Sequence, residues 1–239
     1  MSSTVKKLSI IIPTFNESST ILELIRSVKE ASYPIDYEII IIDDASTDRT
    51  YEKELLIRKQ DNEGRIKLFR NQINHGKGMC VRIGIQHASG DIFIVQDADL
   101  EYDPREIARL IEPILKNEAD AVFGSRFLTC RWPEGMALPN FVGNKLLTLI
   151  TNLLFGLKLT DEATCYKAVR REILANARFL SRRFAIDPEI TSKLARLKAR
   201  IAESPISYHG RSVKHGKKIK PRDFIYAVIT LIYNRFARI

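Results

Sequence analysis

Cysteine is scarce in this 239-residue chain. Cys80, Cys130 and Cys165 are odd in number and far apart, which excludes a disulfide framework and any cysteine-based zinc spacing and reads as reduced thiols of a cytosolic protein. The four histidines (His75, His87, His209, His215) show no metal-ligand spacing either. No run approaches the roughly 20 apolar residues that a membrane-spanning helix needs. The stretch before Pro13 is too short for a signal peptide, so none is expected. Internal repeats, low-complexity linkers, the glycine-rich dinucleotide fingerprint and the P-loop pattern are all absent. What is present is an ordinary globular composition, 45% hydrophobic and 28% charged, with core enough for one large domain or one domain plus a short appendage. Acid falls short of base by a net +9, a balance that favours phosphates, nucleic acids or anionic lipid surfaces without choosing among them.

One stretch organises the rest. The apolar run Ile92-Phe-Ile-Val95 ends in Gln96 and then Asp97-Ala98-Asp99-Leu100-Glu101. In extended backbone, side chains at i, i+2 and i+4 share a side, with alternate Cα atoms about 7 Å apart. Asp97, Asp99 and Glu101 are therefore expected to converge on one cation, and hard oxygen ligands suit Mg²⁺ or Mn²⁺. Without a cation the same residues read as a solvated acidic turn.

The first half alternates strand and helix. Leu8–Ile12 reads as a buried strand ended by Pro13, and Thr20-Ile-Leu-Glu23 as a capping box opening a helix with Ile21, Leu24, Ile25 and Val28 on its core face. Tyr37–Ile42 is a second strand that delivers Asp43-Asp44-Ala-Ser-Thr-Asp48, and Ile66–Phe69 a third. Asn74-His-Gly-Lys-Gly78 leads into a helix, and Gly76-Lys77-Gly78 reads as a helix start or as a phosphate contact. Asp103-Pro104 opens a further helix and Asp120–Gly124 a further strand ending at Arg126. Polar residues gathered after strands are the layout of a doubly wound α/β sheet, which binds ligands beyond its carboxyl ends.

Taken together, Pro13-Thr-Phe-Asn-Glu17, Ile42-Asp-Asp44 with Ala-Ser-Thr-Asp, Asp97-Ala-Asp99-Leu-Glu101, Gly124-Ser-Arg126 and Arg211 with Lys217 resemble glycosyltransferase family 2 from about Leu8 to Lys217. More narrowly they resemble its dolichol-phosphate mannose synthase-like branch. The resemblance implies a GT-A fold, that is, a Rossmann-like, mainly parallel mixed sheet flanked by helices over residues 1–220. It implies that Pro13, Phe15, Glu17, Ile42 and Asp44 surround the donor's base and ribose, with Phe15 where Tyr and Ala45 where Gly is usual. Asp97, Asp99 and Glu101 would hold Mg²⁺ or Mn²⁺, with Ala98 and Lys217 completing the donor site. Arg126 would face the phosphates, Arg211 the acceptor phosphate, and Asp161, in Thr160-Asp-Glu-Ala-Thr-Cys-Tyr-Lys167, the transferred sugar.

The implied reaction moves a hexose, with inversion, from a nucleotide sugar of the GDP-mannose or UDP-glucose type to a polyprenyl phosphate. A phosphate acceptor is already anionic and needs no general base. A saccharide hydroxyl, the alternative acceptor in cell-wall or surface polysaccharide synthesis, needs one, and Asp161 followed by Glu189 are the candidates. A nucleic-acid-binding module, suggested by charge alone, is disfavoured by the acidic cluster and by the lack of any RNA-binding motif.

The second half carries the lipid expectation. Leu138–Leu159 is apolar at most positions but broken by Asn144, Lys145, Thr148, Thr151 and Asn152, which form one polar stripe on a helix. Asp187-Pro188-Glu189 reads as a helix cap, and Arg200–Tyr208 as a late edge strand. His209–Arg222 holds six Lys or Arg and no acid, and residues 221–239 form an apolar helix with Ala227, Thr230, Asn234 and Arg238 along one edge. A basic run before such a helix suits the interface of an anionic membrane, peripheral and on its cytoplasmic face, although the helix can also pair with itself in an oligomer.

Overall fold

In a computed structural model, residues 5–210 and 221–237 are described. The chain runs β1 (Lys7–Thr14), α1 (Ile21–Glu30), β2 (Asp36–Asp43), α2 (Thr50–Lys59), β3 (Ile66–Arg70), α3 (Lys77–His87), β4 (Ile92–Val95), α4 (Ile107–Leu115), β5 (Ala121–Ser125), α5 (Leu138–Phe155), β6 (Lys167–Arg170), α6 (Ile186–Arg196), β7 (Ile201–Pro205) and α7 (Pro221–Phe236). The seven strands form one sheet in the order β3-β2-β1-β4-β6-β5-β7. All neighbours are parallel except β6, which runs antiparallel to both β4 and β5.

Period-two alternation sorts the isoleucines into two layers. Ile10, Ile12, Ile39 and Ile41 pack with α1 and α4 on one face, while Ile11, Ile40 and Ile42 pack with α3 and α6 on the other. Each is fully buried, a contribution of about 1.5–3 kcal/mol per side chain. Because β1 has β2 on one side and β4 on the other, the chain reverses direction of growth at β1, and a crevice opens beyond the carboxyl ends there. The three cysteines are free, as their spacing implied.

Several local expectations need correction. Pro13 lies inside β1 and pairs with Ile42 of β2. The missing N–H is tolerated because pairing with β4 ends at Ile11, leaving no ladder bond for Pro13 on that side. Thr20 makes no side-chain cap to α1. Its hydroxyl donates instead to the Glu17 carbonyl (3.2 Å) and carboxylate (3.3 Å), so no capping box forms. Asp187 does not cap α6 either, since the helix starts one residue earlier. Strand β6 is unannounced by the sequence because two of its four residues, Lys167 and Arg170, are charged and yet buried.

Candidate donor and metal site

The loops after β1 and β2 are laced together. The Asn16 amide donates to Ser46 Oγ (3.0 Å), the Thr47 amide to Asn16 Oδ1 (2.8 Å), and the Glu17 amide to Thr50 Oγ1 (2.8 Å). Asn16 and Ala45 both take positive φ, 52° and 60°, which explains why glycine suits the position of Ala45. Of the expected base and ribose contacts, Pro13 and Phe15 are partly exposed at this edge, whereas Glu17 is buried. Ile42 is wholly inside the core, so its side chain supports the loop and does not line it. Asp44 is also buried, and its carboxylate accepts from the His75 amide (2.9 Å), the Gly76 amide (2.6 Å) and Asn71 Nδ2 (2.7 Å). It therefore ties the loop before α3 to the end of β2.

The acidic stretch is not extended. Strand β4 stops at Val95, and Leu100 has φ 61°, so the alternation that would have brought three carboxylates together is broken. Among the described residues no group of three His, Cys, Asp or Glu side chains is arranged to hold a metal ion. Glu101 is buried and engages the Tyr208 hydroxyl; burial and this charge together raise the Tyr208 pKa. Asp99 Oδ1 accepts the Glu101 amide (3.1 Å). Ala98 is packed in the core. Asp97 and Asp99, both partly exposed, are what the segment offers a cation. Two carboxylates are enough for Mg²⁺, which usually takes one or two from the protein and completes its shell with water and substrate phosphates. The donor chemistry therefore fits a hard divalent ion.

Asp97 is not alone. Lys77 Nζ lies 2.9 Å from its Oδ1 and 3.4 Å from Asp187 Oδ2. Burial would push the Lys77 ammonium down, but Asp187 and Asp97 outweigh it and hold its pKa well above the usual lysine value. Lys77, Asp187 and the buried pair Lys167–Glu162 (3.1 Å) are site residues that sequence reasoning passed over. The Gly76-Lys77-Gly78 motif was the available signal. Its glycines are explained by packing, because a Cβ at Gly76 would stand 2.7 Å from the Arg182 carbonyl and one at Gly78 2.7 Å from the carbonyls of Ser181 and Arg183.

Arg126 and Asp161 meet in a buried, two-pronged pair. Arg126 Nε and Nη2 each donate to Asp161 at 2.7 Å, and the Arg126 amide adds a third bond at 3.0 Å. Burial opposes the guanidinium charge, but Asp161 more than restores it, so the Arg126 pKa is raised. Asp161 has no exposed surface and directs both oxygens to Arg126. Glu189, the second candidate base, accepts from the amides of Leu180 (2.8 Å) and Ser181 (2.7 Å) and is likewise buried. Arg211 and Lys217 lie outside the described residues.

Helix α5 presents its polar stripe inward. Thr148 Oγ1 accepts the Glu162 amide (2.9 Å), Asn152 exchanges two bonds with Leu159 (2.9 Å each), and Lys145 Nζ reaches the Thr160 carbonyl (3.5 Å). The stripe thus holds the segment carrying Asp161. Its apolar side, Leu138, Val142, Leu146, Leu149 and Leu153, faces out.

The glycosyl transferase family 2 profile matches residues 9–177. The chain belongs to this family. The dolichol-phosphate mannosyltransferase of Pyrococcus furiosus is 32% identical over 225 residues, covering 89% of this chain and 60% of that protein. The dodecaprenyl-phosphate galacturonate synthase of Rhizobium johnstonii is 28% identical over 219 residues, covering 88% and 60%. The chain thus spans about 60% of the length of these curated relatives, which lie in the dolichol-phosphate mannose synthase-like branch that the motifs implied. Glucosyl-3-phosphoglycerate synthase from Mycobacterium tuberculosis, crystallised with Mn²⁺, UDP and phosphoglyceric acid, superposes with a TM-score of 0.72 at 18% identity, covering 98% of this chain and 80% of that one. The expected GT-A architecture is therefore present, with the C-terminal helix docked upon it. Membership of a glycosyltransferase family also removes the ground for a nucleic-acid-binding module.

Proposed function

We propose that this glycosyltransferase moves a hexose, with inversion, from a nucleotide sugar to a polyprenyl phosphate at a membrane surface. The observation that carries this reading is the commitment of both candidate bases. A saccharide hydroxyl must lose a proton as it attacks, yet Asp161 is buried and paired with Arg126, and Glu189 is buried and held by two backbone amides. An acceptor that is already anionic makes no such demand. The names of the polyprenyl-phosphate relatives point the same way.

In this reading the linked loops after β1 and β2 seat the nucleotide, with Pro13 and Phe15 at the base. Asp97 and Asp99 would hold a divalent cation, Mg²⁺ or Mn²⁺, which when bound neutralises charge on the donor diphosphate. Arg126, fixed by Asp161, keeps a positive charge beside the donor phosphates without needing to reorganise. Arg211 and Lys217 take the acceptor and donor phosphates. The outward apolar faces of α5 and of α7, in residues 221–239, rest on the cytoplasmic face of an anionic bilayer. Among the described residues no helix is long and apolar enough to cross one.

The test offers a panel of radiolabelled nucleotide sugars with polyprenyl phosphate, with and without Mg²⁺ or Mn²⁺. Metal-dependent label in the organic phase is expected, and Asp99→Ala should abolish it while leaving the thermal melt unchanged. Donor consumption with label left in the aqueous phase would instead favour a hydroxyl acceptor.

A further inference from the structure

Lys77 stands where a cation is wanted. Its ammonium lies within 3.0 Å of both Asp97 oxygens and 3.4 Å from Asp187 Oδ2, so it is held by carboxylates from the loop after β4 and from the first turn of α6. The surroundings are closely packed. Gly76 and Gly78 let the 181–183 backbone close on the start of α3, and the Met79 amide donates to the Arg182 carbonyl (3.1 Å). From behind, Lys167 Nζ donates to the Asp187 carbonyl (2.9 Å). The backbone at both ends is tied by these contacts, whereas the long Lys77 side chain reaches both carboxylates.

We propose that Lys77 is an internal counter-cation that occupies Asp97 in the nucleotide-free enzyme, so that a divalent ion binds weakly alone and firmly only together with a nucleoside diphosphate. This rests on the reading of Asp97 and Asp99 as the metal ligands. A divalent ion at Asp97 must displace or crowd the ammonium, and two cations in contact with one carboxylate repel each other in a partly dehydrated site. A diphosphate brings its own negative charge and relieves that repulsion, while Asp187 keeps Lys77 within the site. The coupling is reciprocal, so the metal raises diphosphate affinity by the factor that the diphosphate raises metal affinity. The cooperativity of the two ligands is thereby built into one side chain.

The test follows free Mn²⁺ by electron paramagnetic resonance on the full chain, without nucleotide and with UDP or GDP, for wild type, Lys77→Met, Lys77→Gln, Lys77→Arg and Asp99→Asn. Both neutral variants should bind Mn²⁺ alone about tenfold tighter than wild type, with the nucleotide enhancement reduced by the same factor. Lys77→Arg, which keeps the charge, should behave as wild type. Added Mn²⁺ should also raise the Tm of Lys77→Met more than that of wild type, because the ion cancels the repulsion left between Asp97 and Asp187. If neither neutral variant gains Mn²⁺ affinity while Asp99→Asn loses it, the role of Lys77 is overturned and the metal ligands stand. If Asp99→Asn binds Mn²⁺ as wild type does, the ligand assignment fails and takes this proposal with it.

Discussion

The two halves of the molecule use amphipathic sequence in opposite ways. In the first half, α1 buries Ile21, Leu24, Ile25 and Val28 and leaves its charges to solvent, as a helix covering a sheet does. In the second half, α5 and α7 bury polar residues beside a small apolar contact of their own, Leu147 against Ala227 and Leu231, and leave much of their apolar surface outward. Thr148 and Thr151 of α5 are buried, as is Asn234 of α7, whose Nδ2 donates to Ser192 Oγ (2.9 Å). Leu153 and Phe236 are 76% and 78% exposed. The contrast teaches that the direction of an amphipathic helix is set by what lies on each side of it. Around α5 the protein side includes the polar segment Leu159–Glu162, which needs hydrogen-bond partners, so Leu149 and Leu153 are left on the outer side.

The strongest way to break the comparison is at the pair that anchors this inverted half. Arg126→Met leaves the Asp161 carboxylate buried without a counter-charge and should destabilise the fold by about 3–5 kcal/mol, read from the midpoint of urea unfolding. Adding Asp161→Asn should recover most of that loss, because the buried charge is then gone. Equal instability in the single and double variants would mean that shape, and not charge, holds the segment.

Within the conventional half, one group breaks the rule that buried helix positions are apolar. Glu54 of α2 is fully buried, and burial pushes its carboxyl up to about 7, with Thr14 opposing and the nearby Asp43 carboxylate adding to the rise. The unfolded chain ionises this group first, near 4.5. Stability should therefore fall as pH rises from that value to about 7 and level off beyond it, a loss of about 3 kcal/mol. Glu54→Gln should remove this step and be the more stable form at pH 8, by comparison of unfolding at pH 5 and pH 8. An unchanged pH profile would place the ionisation elsewhere.

Legibility followed the same division. Strands whose residues are uniformly apolar, such as Ile39–Ile42, and helices with charged outer faces were plain in the sequence, and so was the family. Strand β6 was not, because Lys167 and Arg170 are charged residues whose burial depends in part on partners far along the chain: the Asp187 carbonyl for Lys167 and the Ile114 carbonyl for Arg170 (2.9 Å each). Asp97, Asp99 and Glu101 were legible as a group, but the turn that keeps them from converging was not. The positive φ of Leu100 cannot be read from a leucine, which ordinarily avoids it. Lys77 was visible only as the middle of a glycine pair, and its partner Asp187 is 110 residues away.

The smallest effect on the fold should come from the outward faces themselves, where the comparison can be sharpened. Leu149 and Leu153 of α5 and Ile229 of α7 are all more than half exposed, so replacing all three by glutamate removes little packing and should leave the Tm nearly unchanged. On a membrane the same change loses apolar area worth about 1.5–3 kcal/mol for each fully buried side chain and adds negative charge facing anionic lipid. Sedimentation with vesicles containing phosphatidylglycerol should therefore show binding weakened by at least about tenfold. The equivalent change on α1, Leu22→Glu, alters an exposed leucine on a helix whose apolar side is already covered, and should not affect vesicle binding. If the triple variant binds vesicles as the wild type does but changes its sedimentation coefficient, the face made by α5 and α7 meets a second copy of the chain instead, and the membrane assignment falls while the inversion of the two helices stands.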